Sequence, residues 1–166
     1  MGWRNLSRKA TGLLAIAAIV ACGDGAREEH EETGEAAGTE LSAFELENGI
    51  GPVKEKVELG ALDAKLADSG KKVFEAKCSM CHKMDTTYVG PSLGEVTTRR
   101  TPAYIMNMIL NPQEMVERHP IAKQLLAERM TFMANQGITV PEARALVEYL
   151  RTQSRSSKPA SKETSP

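Results

Sequence analysis

The spacing of apolar positions changes character along the chain, and each change marks a different kind of segment. Residues 13–21 (LLAIAAIVA) are unbroken apolar sequence behind Arg4, Arg8 and Lys9. That run is too short to cross a bilayer, which takes ~20 residues. With its basic start it reads as a secretory signal. Between 23 and 40 apolar residues nearly disappear. Phe44, Leu46, Ile50, Val53, Val57, Leu59 and Leu62 are then scattered over 41–65 without a steady period, which predicts an extension wrapped on a core. From Asp68 the spacing becomes helical: Val73, Phe74, Lys77 and Cys78 fall three or four apart, with Asp68 or Ser69 as the cap. A further helix is predicted behind Thr101-Pro102, with Tyr104, Ile105, Met108 and Ile109 as its core stripe. His119-Pro120 reads as another helix start, and residues 130–138 are irregular. Thr139-Val140-Pro141-Glu142 is a capping box with proline in the first turn. Ala143, Leu146, Val147 and Leu150 follow as an apolar face. The expectation is an all-α fold of three to five helices.

At 166 residues there is room for one ordinary domain. The net charge of −1 hides an uneven distribution. Residues 23–47 hold nine acids against Arg27, whereas residues 48–150 sum to +1. The domain is close to neutral, which gives no footing for nucleic acid. The acidic stretch cannot bury enough surface to fold and reads as a spacer, with a flexible reach of roughly 25–30 Å. The boundaries expected are a signal at 1–21, an acidic disordered tether at 22–47, the extension at 48–65, the domain at 66–153, and a disordered tail at 154–166.

The chain has three cysteines, and they divide into one and two. Cys22 closes Ile19-Val20-Ala21-Cys22, which resembles the lipobox of bacterial lipoproteins. There the cysteine becomes the acylated first residue of the mature chain; the alternative is an ordinary signal peptide ending beside a cysteine. A free exposed thiol is awkward in an oxidising compartment, and acylation removes it. The implied location is extracytoplasmic, a membrane reached through a lipid anchor with the domain facing the periplasm.

The other two stand in Cys78-Ser79-Met80-Cys81-His82. The C-x-x-C-H string marks covalent c-type heme. Two intervening residues let both sulfurs reach the vinyl groups on one porphyrin edge, and the turn brings His82 under the iron. A flat apolar cofactor also suits a chain with only 4% aromatic residues. A thioredoxin-like reading needs a strand and a βαβ setting, and neither is visible. A zinc site needs two more ligands, and only His30 and His119 remain.

Residues 70–82 (GKKVFEAKCSMCH) resemble the opening of class I cytochromes c, whose first helix carries Gly and Phe at these offsets. Tyr88-Val89-Gly90-Pro91-Ser92-Leu93 resembles the family's Gly-Pro-x-Leu loop, and residues 133–138 with 142–150 resemble its axial-methionine loop and last helix. The resemblance covers about residues 66–152. It implies a small cytochrome c fold around one covalent heme c, with the last helix crossing the first so that Gly70 and Phe74 meet Leu146 and Tyr149. It implies that the Pro91 carbonyl accepts from His82 and that Leu93 lies on the heme. The family's buried tryptophan has no counterpart, because Trp3 leaves with the signal. Arg99 and Arg100 are candidate substitutes as donors to the heme carboxylates.

Several methionines compete for the sixth position. Met80 and Met84 lie on the wrong side of the ring. Met106 and Met108 read as core filler, and Met115 is a weaker candidate. Met130 and Met133 lie in the irregular segment; Met133 leads on its spacing to Ile138 and the last helix, and Met130 stands second. His119 is the bis-histidine alternative. An iron closed by His82 and Met133 has no position for substrate, so the expectation is a monomeric electron carrier and not an enzyme. It would shuttle single electrons between redox protein partners of a respiratory chain, from a quinol-oxidising complex to a terminal oxidase or a periplasmic reductase. The alternative is a heme-based peroxidase or gas sensor with a displaceable methionine.

Overall fold

The structure, a computed structural model, describes residues 40–154. The signal, Cys22, His30, the spacer up to residue 39 and the tail from residue 155 lie outside the described residues. Among the described residues no helix is long and apolar enough to cross a membrane.

The architecture follows from two helices whose backbones touch. The helix that ends in the C-x-x-C-H motif spans Ala64–Lys77 (α2), and the last helix spans Val140–Gln153 (α7). A Cβ on Gly70 would lie 2.0 Å from the Ala145 carbonyl oxygen and 3.0 Å from Leu146 N. Only glycine permits that approach, and the close crossing brings Phe74 onto Tyr149 with ring centroids 5.3 Å apart. Phe74, Ile105, Met106, Leu146, Val147 and Leu150 are buried around the crossing as one core cluster. The capping box of α7 is present, with Thr139 and Glu142 each bonded to the other's backbone.

The start of α2 differs from the expectation. Asp63, not Asp68 or Ser69, caps it, and the Asp63 side chain accepts from the Leu66 N–H. Ser69 lies inside the helix, where its hydroxyl donates to the Lys65 carbonyl at 3.1 Å. That i−4 bond lets a residue normally favoured at caps sit in a helix interior.

Seven helices occur among the described residues, more than the three to five expected. Beside α2 and α7 they are Ala43–Asn48 (α1), Val96–Arg99 (α3), Pro102–Leu110 (α4), Pro112–Arg118 (α5) and Pro120–Arg129 (α6). Proline is the reason for three of them. Pro102, Pro112 and Pro120 each stand at the first turn of their helix. There a missing N–H costs nothing, whereas inside a helix it breaks the ladder.

α1 corrects the boundary of the acidic tether. Residues 43–47, assigned to it by charge, are helical because Ser42 and Glu45 form a capping box. Glu45 is the partner of the Ser42 cap, and the bonds it accepts from the Ser42 backbone and hydroxyl hold its carboxyl below the usual range. The tail is corrected by one residue as well. Ser154 is buried and bonded to Glu95 at 3.4 Å.

The extension does wrap the domain, through polar clamps as much as apolar contact. Asn107 stands in the middle of the apolar run of α4 and is fully buried. Its amide nitrogen donates to the carbonyls of Asn48 (3.0 Å), Val53 (3.0 Å) and Gly49 (3.3 Å), and its oxygen accepts the Val53 N–H at 2.9 Å. The Ile50 N–H donates to the Met115 sulfur at 3.0 Å, inside a second cluster of Ile50, Tyr104, Met115, Val116 and Ala122. At the other end Arg151 donates to the Gly60 carbonyl and pairs with the buried Glu148, which Arg144 also holds.

His119 joins this strap to the α5–α6 corner. The Ile121 N–H can only donate, so His119 Nδ1 accepts it at 3.3 Å, and the ring proton sits on Nε2, facing the Leu46 carbonyl at 3.2 Å. Burial holds the His119 pKa below the ordinary 6.5; the Leu46 and Glu45 carbonyls oppose that shift and Arg100 reinforces it. The unfolded chain therefore binds this proton first, so the folded state loses stability as pH falls below about 6.5 and keeps it above. His119→Asn retains a capping side chain and removes the titration. Denaturant midpoints measured from pH 7.5 to 5 should fall less steeply for it than for the parent; equal slopes would show that His119 is not the group responsible.

Candidate heme centre

Cys78 follows directly on α2 and caps it, its N–H donating to the Phe74 carbonyl at 2.9 Å. The turn then tightens: the Cys81 and His82 N–H groups both donate to the Cys78 carbonyl, at 3.1 and 2.9 Å. Cys78 is half-buried and Cys81 exposed, and neither is in a disulfide. Burial pushes the Cys78 thiol up, with Lys77 opposing.

The loop after the motif is stapled back onto it. The Gly90 N–H donates to the Cys81 carbonyl, Leu93 N–H to Lys83, and Gly94 N–H to Met84, each at 2.9 Å. These bonds deliver the Pro91 carbonyl to the histidine ring, 3.0 Å from His82 Nδ1. A carbonyl can only accept, so Nδ1 carries the proton and Nε2 is left as a bare lone pair. A ligating histidine is ordinarily oriented in this way, by a partner on its second nitrogen. Gly90 also presses on the ring: a Cβ there would lie 2.4 Å from His82 Cε1 and 2.7 Å from Nδ1. The need for glycine at that place is a packing fact that spacing alone did not reveal.

The surroundings suit a flat apolar group. Cys78, Met84, Leu93, Ile109 and Leu110 pack against the main core cluster and are only partly buried. With two thiols and one fixed imidazole, the donor set fits heme attached through thioethers. A cavity of about 240 Å³ lies elsewhere, between Leu59, Thr97, Arg100, Ile105, Val147 and Arg151, and the motif residues do not line it.

The methionines separate by environment. Met130 is 85% exposed and ends α6 in the left-handed region at φ 53°. Met133 is half-buried, in the irregular run between α6 and α7. Met106 and Met115 are buried in the two core clusters, and the Met115 sulfur already accepts from Ile50. His119, with both ring nitrogens engaged by backbone, has none to offer as a bis-histidine ligand.

Arg99 and Arg100 point to different neighbours. Arg99 donates to the Ser92 carbonyl at 3.2 Å and so stays with the Pro91–Leu93 loop. Arg100 lies over the Tyr104 ring, 5.3 Å from its centroid, and lines the separate cavity. The structure thus brings together Cys78, Cys81, His82, Pro91, Leu93 and Arg99, and takes Arg100 toward α4.

A model of the family described as cytochrome c matches residues 67–154. The chain belongs to the cytochrome c family. Cytochrome c from Rhodothermus marinus has a similar structure, with a TM-score of 0.65 at 44% identity, covering 69% of this chain and 99% of that one. An engineered cytochrome c from the same organism gives 0.62 at 45% identity, covering 66% and 95%. A cytochrome c-553-like protein of Synechocystis sp. is 34% identical over 64 residues, which are 31% of this chain and 61% of that relative. The match thus spans about three fifths of the curated relative's length. The cytochrome c fold is all-α here, and its cofactor is one covalently bound heme c. The family match begins beyond the strap, at residue 67, whereas the match to the Rhodothermus marinus cytochrome c extends over 69% of the chain and is longer than the family match.

A residue other than glycine in the left-handed region costs roughly 1–2 kcal/mol. Met130 lies there with its side chain in solvent. Met130→Gly should therefore raise the denaturation free energy by about 1 kcal/mol. A decrease in a urea titration would mean that the Met130 side chain has a partner.

Proposed function

We propose that the chain is a class I, single-heme electron carrier, held to a membrane by lipid on Cys22 and working on the periplasmic side. The observation that supports it most is the His82–Pro91 contact, which fixes the imidazole with Nε2 free. Cys78 and Cys81 would form the thioethers, and His82 and Met133 would be the two protein ligands of the iron. Leu93 would contact the heme, and Arg99 would be a donor to one of its carboxylates. Heme c supplies a one-electron couple, and a thioether ligand raises its potential. The protein's task is to hold both ligands unchanged between oxidation states, to exclude water, and to present one edge to partners.

Partners are redox proteins of a respiratory chain, a quinol-oxidising complex on one side and a terminal oxidase or periplasmic reductase on the other. Met80 and Tyr88 beside the motif, and Met130 and Phe132 beside Met133, are exposed apolar side chains. Together with the near-neutral domain they favour apolar docking of a monomer, with rates that respond weakly to salt. Two or more acyl chains hold a protein firmly where one does not; this is the reading of Ile19-Val20-Ala21-Cys22.

Met133→Ala should abolish the sulfur-to-iron charge-transfer band of the ferric protein. Met133→His should keep six ligands and lower the reduction potential. Met130→Ala should leave the band intact, and the reverse pattern would give the ligand to Met130. Separately, Cys22→Ser should move the protein from the detergent-requiring membrane fraction to the soluble one. Equal membrane retention would defeat the lipid anchor.

A further inference from the structure

We propose that Asn135 is a positioning residue, a clasp that ties the Met133 loop to the end of α4 and so sets how readily the Met133 sulfur leaves the sixth position. The inference rests on the reading of Met133 as ligand. Residues 131–138 lie between α6 and α7 without regular structure. Segments of this kind open at a cost near zero unless something ties them down.

Two bonds from one side chain do so. Asn135 Nδ2 donates to the Leu110 carbonyl at 3.3 Å, and Asn135 Oδ1 accepts the Gly137 N–H at 2.8 Å. The second bond closes a local turn, with Gly137 at φ +62°. The first reaches out of the loop. Leu110 is the last residue of α4, and its carbonyl is one of the four that a helix end leaves without an intrahelical donor. The Leu110 side chain packs on the core cluster that holds Phe74 and Leu146.

The clasp therefore fastens the chain two residues beyond Met133 to the rigid body of the domain. Other side-chain bonds of the loop are local: Thr131 to the Arg129 carbonyl and Gln136 to the Ala134 carbonyl. They shape the loop and leave its distance from the core free. Downstream, Ile138 is the buried anchor, and Thr139 caps α7. Between Met133 and that anchor, the Asn135 bond to Leu110 is the one that reaches an element remote in sequence.

A net hydrogen bond contributes about 1 kcal/mol, which is roughly a fivefold change in an equilibrium. An external ligand reaches the iron only when Met133 leaves, so its apparent affinity follows the open fraction. The ferric heme protein would be titrated with imidazole while the sulfur-to-iron band is followed, for the parent, Asn135→Ala, Asn135→Asp and Met133→Ala. Asn135→Asp keeps the acceptor for Gly137 and loses the donor for Leu110. Both Asn135 variants should bind imidazole about fivefold more tightly than the parent, with thermal midpoints close to it. If Asn135→Asp binds imidazole like the parent while Met133→Ala has lost the band, the clasp is wrong and the ligand reading stands. If Met133→Ala keeps the band, the ligand reading fails and the clasp falls with it.

Discussion

The contact of backbone with backbone at Gly70 and Ala145 is the constraint from which the rest of the domain is positioned. With 2.0 Å between a hypothetical Cβ and the Ala145 oxygen, α2 and α7 have one close depth of approach at that point. Fixing them there fixes the end of α2, and the C-x-x-C-H turn begins where α2 ends. The histidine is then carried by covalent geometry and by three successive staples, from Gly90, Leu93 and Gly94. Core packing and cofactor chemistry are thus parts of one chain of constraints. A change at the crossing moves the imidazole although it touches no group that binds heme.

Much of this was legible because it is local. Capping boxes, prolines in first turns and the spacing of two thiols and an imidazole are decided within a few residues, and sequence displays them directly. Thr101, His119 and Thr139 cap the helices expected of them. The misreadings have a common cause in contacts between distant residues or in mixed signals. Charge suggested a spacer at 43–47, but the Ser42–Glu45 box outweighs it. Apolar spacing set the start of α2 at Asp68, because Ala64 and Lys65 at its true start are exposed and carry little periodic signal. Adjacent arginines read alike, yet one turns to the Ser92 carbonyl and the other to the Tyr104 ring. The Gly90 contact needed coordinates, although a polar residue inside YIMNMIL could have flagged Asn107.

The strap illustrates how a polar side chain can define an attachment that apolar residues only favour. Ile50, Val53, Val57 and Leu59 could slide along a greasy surface with little penalty. Asn107 removes that freedom, because its four bonds are satisfied in one register only. Buried polar groups left unpaired cost about 1–3 kcal/mol each, so a slipped strap would strand several at once. The second cluster, with Met115 and His119, anchors the same segment to α5 and α6. The strap therefore braces the helices that lead directly into residues 130–139.

The two faces of the heme centre are held by different kinds of force. His82 belongs to a turn with Cys78 and Cys81, and Pro91 and Gly90 fix its ring. Met133, the second ligand in the function proposed above, lies in an irregular run between a left-handed helix end at Met130 and the α7 cap. A short backbone ladder, together with the thioethers proposed for Cys78 and Cys81, would leave the His82 segment little alternative geometry. The Met133 loop is a local equilibrium, tied to α4 by the Asn135–Leu110 bond and ended by the α7 cap. An electron carrier needs a low cost of rearrangement when its charge changes, and two ligands that keep their places provide it. The proximal ligand keeps its place by construction. Met133, as the proposed second ligand, would keep its place by the sum of weak contacts around one loop, so potential and resistance to foreign ligands would be most open to adjustment there.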